Sequence, residues 1–269
     1  MILLQHGIEL AIVVLLAIVI AIVFHEVAHA LVAKWNGDLT AQYARRITLN
    51  PVRHFDLTGF VMLALVGFGW AKPVPVNIDN FNNRRRGTIL VSLAGIKINL
   101  ILAFLSAFFL VIIERFSGIG GVRVSGVNYY HLYAVIHFVR GIPNHLIGTS
   151  QVIAYVFGVF FFVLLNINVM LALFNLLPLF PLDGHRLLEA TLGSYNRVVK
   201  FLRDWGMAIL LGLVGLNILL WIIADTTGNG FIMNFSPLAA YMHFVGGAIS
   251  QSFLNLFRLI FGLPPLWIF

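Results

Sequence analysis

The chain has 269 residues, 60% of them hydrophobic and only 10% charged, with a formal net charge of +7 and no cysteine. Soluble globular chains carry about 25% charged residues, and disordered ones lack the bulky apolar residues that 24 Phe supply here. Both classes are excluded, as are disulfide frameworks and thiolate chemistry. The sequence predicts an all-α polytopic membrane protein forming a single membrane-embedded domain over 1–269, with a core at about 8–192 and C-terminal helices at about 206–265. Four to six transmembrane helices are expected, with a small membrane-associated β-rich insertion between the first two main spans.

A bilayer core needs roughly 20 apolar residues as a helix. The first span runs from about Ile8 to Ala33. The residues ahead of it offer neither a basic n-region nor a small-residue cleavage site, so this stretch is expected to stay as a helix rather than to be removed. Between Asp38 and Asn83, short β-branched runs broken by Pro and Gly predict strands, notably around Tyr43–Leu49 and Pro73–Ile78. An extended substrate peptide would add to an edge strand there. Within this region Gly59–Trp70 is apolar but too short to cross, and reads as a re-entrant segment. Further spans follow at Thr88–Ile113, Val152–Leu177 and Met207–Ala224. A last candidate, Pro237–Leu263, carries His243, Gln251, Asn255 and Arg258, and is compatible with a span, a re-entrant segment or an amphipathic surface helix.

The basic residues orient the chain and do not point to nucleic acid. Twelve of the 17 Lys and Arg fall in the loops after the first and third main spans. Those loops are therefore expected in the cytoplasm, with the N-terminus outside.

Ionisable residues at membrane depth are costly, and their default reading is functional. Phe24 is followed by His25-Glu26-Val27-Ala28-His29, an H-E-x-x-H sequence. On a helix, positions i and i+4 share a face, so both imidazoles reach one Zn²⁺ while Glu26 stands beside a metal-bound water. Random placement of the nine His and the few Glu yields roughly 0.004 such matches, and this one follows fifteen apolar residues. His25 lies about 14 Å along the axis from Lys34, too deep for easy snorkelling. A catalytic zinc site usually has a third protein ligand. Asp183, in a run broken by Pro178 and Pro181 and followed by Gly184, is the leading candidate; its competing role is to cap the helix from Gly184 to about Leu192.

HEVAH in the first span and NLLPLFPLDGHR after a later one resemble the two signature motifs of the site-2 protease family, the intramembrane zinc metalloproteases. GWAKPVPVN, an Arg-rich turn and SLAGIKINL resemble that family's short branch without a PDZ domain. The resemblance implies one zinc per chain held by His25, His29 and Asp183, Glu26 as the catalytic glutamate, and Asn175 as a residue that holds substrate near the metal. It implies a transmembrane-protein or signal-peptide substrate within the lipid bilayer. Where the family often has A-G-P-x-x-N, this chain has Ala94-Gly95-Ile96-Lys97-Ile98-Asn99. A non-hydrolytic membrane metal protein, a transporter or sensor, is the alternative, although transporters usually string ionisable groups along several spans in repeated halves. Asn99 and Asn168 need partners in an apolar phase and read first as interhelical packing groups. His54 and Asp56 read as a stabilised turn near the zinc mouth. His185 reads equally as a group behind Asp183 or an exposed helix-start residue. His131, His137, His145 and His243 receive no role.

Overall fold

The computed structural model describes residues 8–66, 69–116 and 149–266. His131, His137 and His145 lie outside them. Among the described residues four helices are long and apolar enough to cross a membrane: Ala11–Trp35, Arg84–Phe116, Val156–Leu176 and Arg197–Thr227. They belong to α1 (Ile8–Trp35), α4 (Arg84–Phe116), α5 (Thr149–Leu176) and α7 (Arg197–Thr227). α1, α4 and α7 contain the spans expected from the sequence at Ile8–Ala33, Thr88–Ile113 and Met207–Ala224, and α5 covers Val152–Leu177 to within one residue. The remaining helices are α2 (Thr40–Tyr43), α3 (Leu57–Val66), α6 (Asp183–Leu192), α8 (Pro237–Tyr241) and α9 (Gly247–Ile260). In the fifth segment α8 is followed directly by a π turn at Met242–Gly246 and then by α9, and this stretch is not among the four helices long and apolar enough to cross. The apolar stretch after His54 is helical as α3, and ten residues reach only about 15 Å.

The chain divides into two compact units, residues 22–99 with 171–242, and 1–21 with 100–170 and 243–269. In the second of these, Val14 and Ala17 of α1 pack on Val159, Val163 and Leu164 of α5. Phe104 and Phe108 of α4 meet Phe257 of α9. The buried Arg258 pairs with Glu114 and donates to the Pro264 carbonyl. An isolated charge at that burial would be costly, and the pair with its extra hydrogen bond removes the cost.

In the first unit, Ala30 of α1 packs on Ala41 and Val74, and Ala33 on Phe81 and Val91. Small residues on α1 let these neighbours approach closely. Leu179 packs on Leu210 and Val214 of α7. A Cβ on Gly206 would lie 2.5 Å from the Phe180 nitrogen, so α7 needs glycine there to accept the turn before α6.

The β-rich insertion does not form: no strand occurs among the described residues. The reason lies in where the backbone groups go. After α2, the Ala44, Arg45 and Arg46 N–H groups bond back to Thr40, Gln42 and Ala41, closing a turn in which Arg45 has φ 54°. In the extended stretch before the 3₁₀ turn at Ile78–Asn80, Pro73 and Pro75 have no N–H to offer. The Lys72 and Pro73 carbonyls accept from the Arg46 guanidinium, the Val74 N–H donates to Glu26, and the Asn77 N–H donates to Asp38. Side chains consume the groups that a ladder would use, so residues 69–77 run as a strap with no edge strand beside them.

Asp38 anchors that strap. It is fully buried and its carboxylate accepts from Thr40 N at 3.0 Å, Asn77 N at 2.8 Å, Asn80 Nδ2 at 2.9 Å and the Thr40 hydroxyl. Burial alone would raise its carboxyl, but the bonds from Thr40, Asn80 and Asn77 hold it below the ordinary carboxylate range. A folded pKa below the unfolded one adds stability above about pH 4 that is lost as pH falls. Asp38→Ala leaves buried donors unpaired and is expected to cost about 2–4 kcal/mol. Thermal unfolding in detergent at neutral pH should show a large fall in Tm, and the gap between wild type and variant should shrink in acid.

Candidate metal centre

His25 and His29 sit one turn apart on α1, and both are buried, at 6% and 8% exposure. Asp183, the first residue of α6, is buried opposite them. Its Oδ2 lies 3.2 Å from His25 Nε2 and 3.1 Å from His29 Nε2, and the two Nε2 atoms are 3.0 Å apart. Asp183 does not cap α6: the N-cap position is Leu182, and no side chain bonds there. Gly184 matters for space, because a Cβ would lie 2.3 Å from the Leu176 carbonyl oxygen.

The protons decide what the triangle can hold. His29 Nδ1 is 2.8 Å from the Val91 carbonyl, which only accepts, so Nδ1 carries a hydrogen and Nε2 is the atom able to offer a lone pair. His25 Nδ1 is 2.6 Å from Asn99 Oδ1, which fixes the same tautomer. Two ring lone pairs and a carboxylate oxygen therefore converge, and Oδ2 has no hydrogen-bond donor. Only a positive charge among them relieves the repulsion. Zn²⁺ bound tetrahedrally at about 2.0–2.2 Å sets its ligand atoms about 3.3–3.5 Å apart, within a few tenths of an ångström of this triangle. The donor set, two imidazoles and a carboxylate, suits that ion and fits it.

Glu26 is half-buried, and its Oε2 accepts from Val74 N at 2.9 Å. Asn175 donates to Leu171, four residues back in its own helix, at 3.0 Å, and no contact with the three converging atoms is present among the described residues. His54 is buried and bonded to the Thr48 carbonyl, with its own carbonyl accepting from Lys72 N. Asp56 accepts from Thr58 and Gly59 at the start of α3. His185 is buried, not exposed, and faces the Val199 carbonyl at 3.3 Å. Asn168 bonds to Leu164 in its own helix.

Three roles at the site go beyond the sequence reading, in which Asn99 was an interhelical packing group. Asn99 and the Val91 carbonyl, both on α4, orient the two imidazoles, and groups placed this way fix tautomer and ring angle. Gly95, between them, makes the room: a Cβ there would lie 2.3 Å from His25 Cε1 and 2.6 Å from both ring nitrogens. The polar Asn99 within an apolar helix was the available signal, but it names no partner. Gly95→Ala separates the two effects of glycine. Helix propensity alone favours Ala by about 1 kcal/mol, whereas the clash displaces His25. The variant is expected to bind zinc about 10–100-fold more weakly, read by competition with a chromogenic chelator.

The family model for peptidase family M50 matches residues 13–216. A protein of Bacillus subtilis (strain 168) named "Putative zinc metalloprotease YwhC" is 37% identical over 174 residues, 65% of this chain. The chain spans 66% of that relative's own length, just under two thirds. No solved structure matches the chain.

Proposed function

Since the chain belongs to peptidase family M50, the site-2 protease family, we propose that it is an intramembrane zinc endopeptidase that cleaves transmembrane or signal-peptide substrates. The observation that carries this reading is the convergence of His25 Nε2, His29 Nε2 and Asp183 Oδ2, with both imidazoles held through Nδ1 by α4. Those three residues hold one Zn²⁺ per chain. When bound, the ion supplies Lewis-acid activation of a water and of the scissile carbonyl.

The remaining work falls to the chain itself. Glu26 is the general base: it takes the proton of the attacking water and delivers it to the leaving amine. The Val74 N–H holds Oε2, so the carboxylate keeps one orientation while Oε1 receives the proton. Asn99 and Val91 prevent the imidazoles from rotating away. Asn175 is proposed to steady the substrate. Its amide is tied to Leu171, so that role requires the side chain to turn. The test is cleavage of single-span reporter helices by the purified zinc-loaded protein, with fragments identified by mass spectrometry. Zinc binding without cleavage of any reporter would point instead to a transporter or sensor.

We further propose that the segments between α1 and α4 and between α5 and α7 face the cytoplasm, as the basic residues dictate. The chain has no cysteine, so one introduced at the exposed Arg86, in the first turn of α4 where that segment ends, reports cleanly. Arg86→Cys in intact cells is expected to react with a membrane-permeant maleimide and to resist an impermeant one. Labelling by the impermeant reagent reverses the orientation.

A further inference from the structure

A cavity of about 500 Å³ opens beside the strap, lined by Arg46, Arg53, Phe55, Lys72, Pro73 and Pro75 among others. Its volume is in the range of small ligand sites. Three cationic side chains and no carboxylate line it. Arg46 forms the fixed wall: it is 94% buried by its 6% exposure, two of its nitrogens are committed to the Lys72 and Pro73 carbonyls, and its Nε has no partner. Arg53 and Lys72 are exposed, and no ion pair engages either among the described residues. The nearest acid in sequence, Asp56, is committed to Thr58 and Gly59. The site is thus a cationic pocket, lined also by Phe55 and two prolines, in which Glu26 acts on Arg46 by charge and no ion pair engages Arg53 or Lys72 among the described residues.

Its position gives it a purpose. Pro73 and Pro75 line the cavity, and the residue between them, Val74, donates to Glu26. A group in the cavity therefore lies one strap residue away from the proposed base. We propose that this cavity is a specificity subsite that accepts a carboxylate side chain of the peptide substrate, close to the bond to be cut. The inference rests on the protease reading for its meaning, but the binding it requires does not depend on turnover. Arg53 and Lys72 supply the selecting charge from the rim, while Phe55 and the two prolines receive the apolar neighbours of the acidic residue. A lipid headgroup would need the same charge, but nothing about the strap would tie it to Glu26.

The experiment measures binding to full-length, zinc-loaded Glu26→Gln protein in nanodiscs of zwitterionic phosphatidylcholine. The probes are a fluorescent apolar hexapeptide with one central Asp and its Asn twin. The Asp peptide is expected to bind about tenfold more tightly, the sum of two exposed charge contacts. Arg53→Glu with Lys72→Glu should remove or invert that preference, and Arg53→Gln with Lys72→Gln should level it; zinc content confirms that each variant is folded. Equal affinity of the two peptides for the parent protein overturns the proposal. So does a preference that survives both pairs of substitutions. Nanodiscs containing anionic phosphatidylglycerol are the last arm: loss of Asp-peptide binding there, restored by the Gln pair, would assign the cavity to lipid and overturn the peptide reading. Failure of wild-type protein to cut any reporter would count against the protease reading alone, because peptide binding is scored separately.

Discussion

Glu26→Gln is expected to lower reporter cleavage by about 10²–10⁴ while leaving one zinc per chain. Glu26 lies one residue from His25, rotated about 100° around α1, so it borders the metal face without belonging to it. Its Oε2 holds the Val74 N–H at 2.9 Å, and a glutamine carbonyl can keep that bond. The substitution therefore removes the proton acceptor and preserves the shape. The measurement is paired on a single purified preparation: zinc by mass spectrometry and cleavage of a reporter helix. Retained zinc with near-normal cleavage would remove Glu26 from the base role. Lost zinc would make it a structural group.

Asp183→Ala is expected to produce the opposite pattern, loss of metal together with loss of activity. The carboxylate is one of only three donors in the triangle and the only anionic one. Without it, His25 and His29 present two neutral lone pairs 3.0 Å apart, a pair too weak to retain zinc against dialysis. The affinity should fall by more than the 10–100-fold typical of losing an outer hydrogen-bond partner. Metal analysis and circular dichroism together check this: full zinc occupancy would sink the ligand assignment, and retained helicity separates it from unfolding.

The metal face was legible because it is written with a helical period. His25 and His29 need only 3.6 residues per turn to fall on one face, and uniform apolarity told which helix was buried. Asp183 was legible for a different reason, as a carboxylate beside prolines where an apolar run ends. Asn99, Val91 and Gly95 were not, because their roles exist only once α4 crosses α1. A backbone carbonyl has no letter in the sequence. The strap was misread for an instructive reason. Its β-branched and proline-rich residues do favour extended backbone, and residues 69–77 do lack helix. Whether extended backbone becomes a strand depends on who takes its hydrogen bonds, and Arg46, Glu26 and Asp38 lie at least 23 residues away in the chain. Propensity carries no information about such distant claimants.

The bond between Glu26 and the strap is made by a main-chain N–H, which every residue but proline possesses. The side chain of residue 72 can therefore be exchanged without removing the N–H that holds the group proposed to handle the proton. A change of charge at that position would alter what the proposed subsite accepts and leave the bond to Glu26 in place, because the side chain and the main chain of one short segment serve different ends.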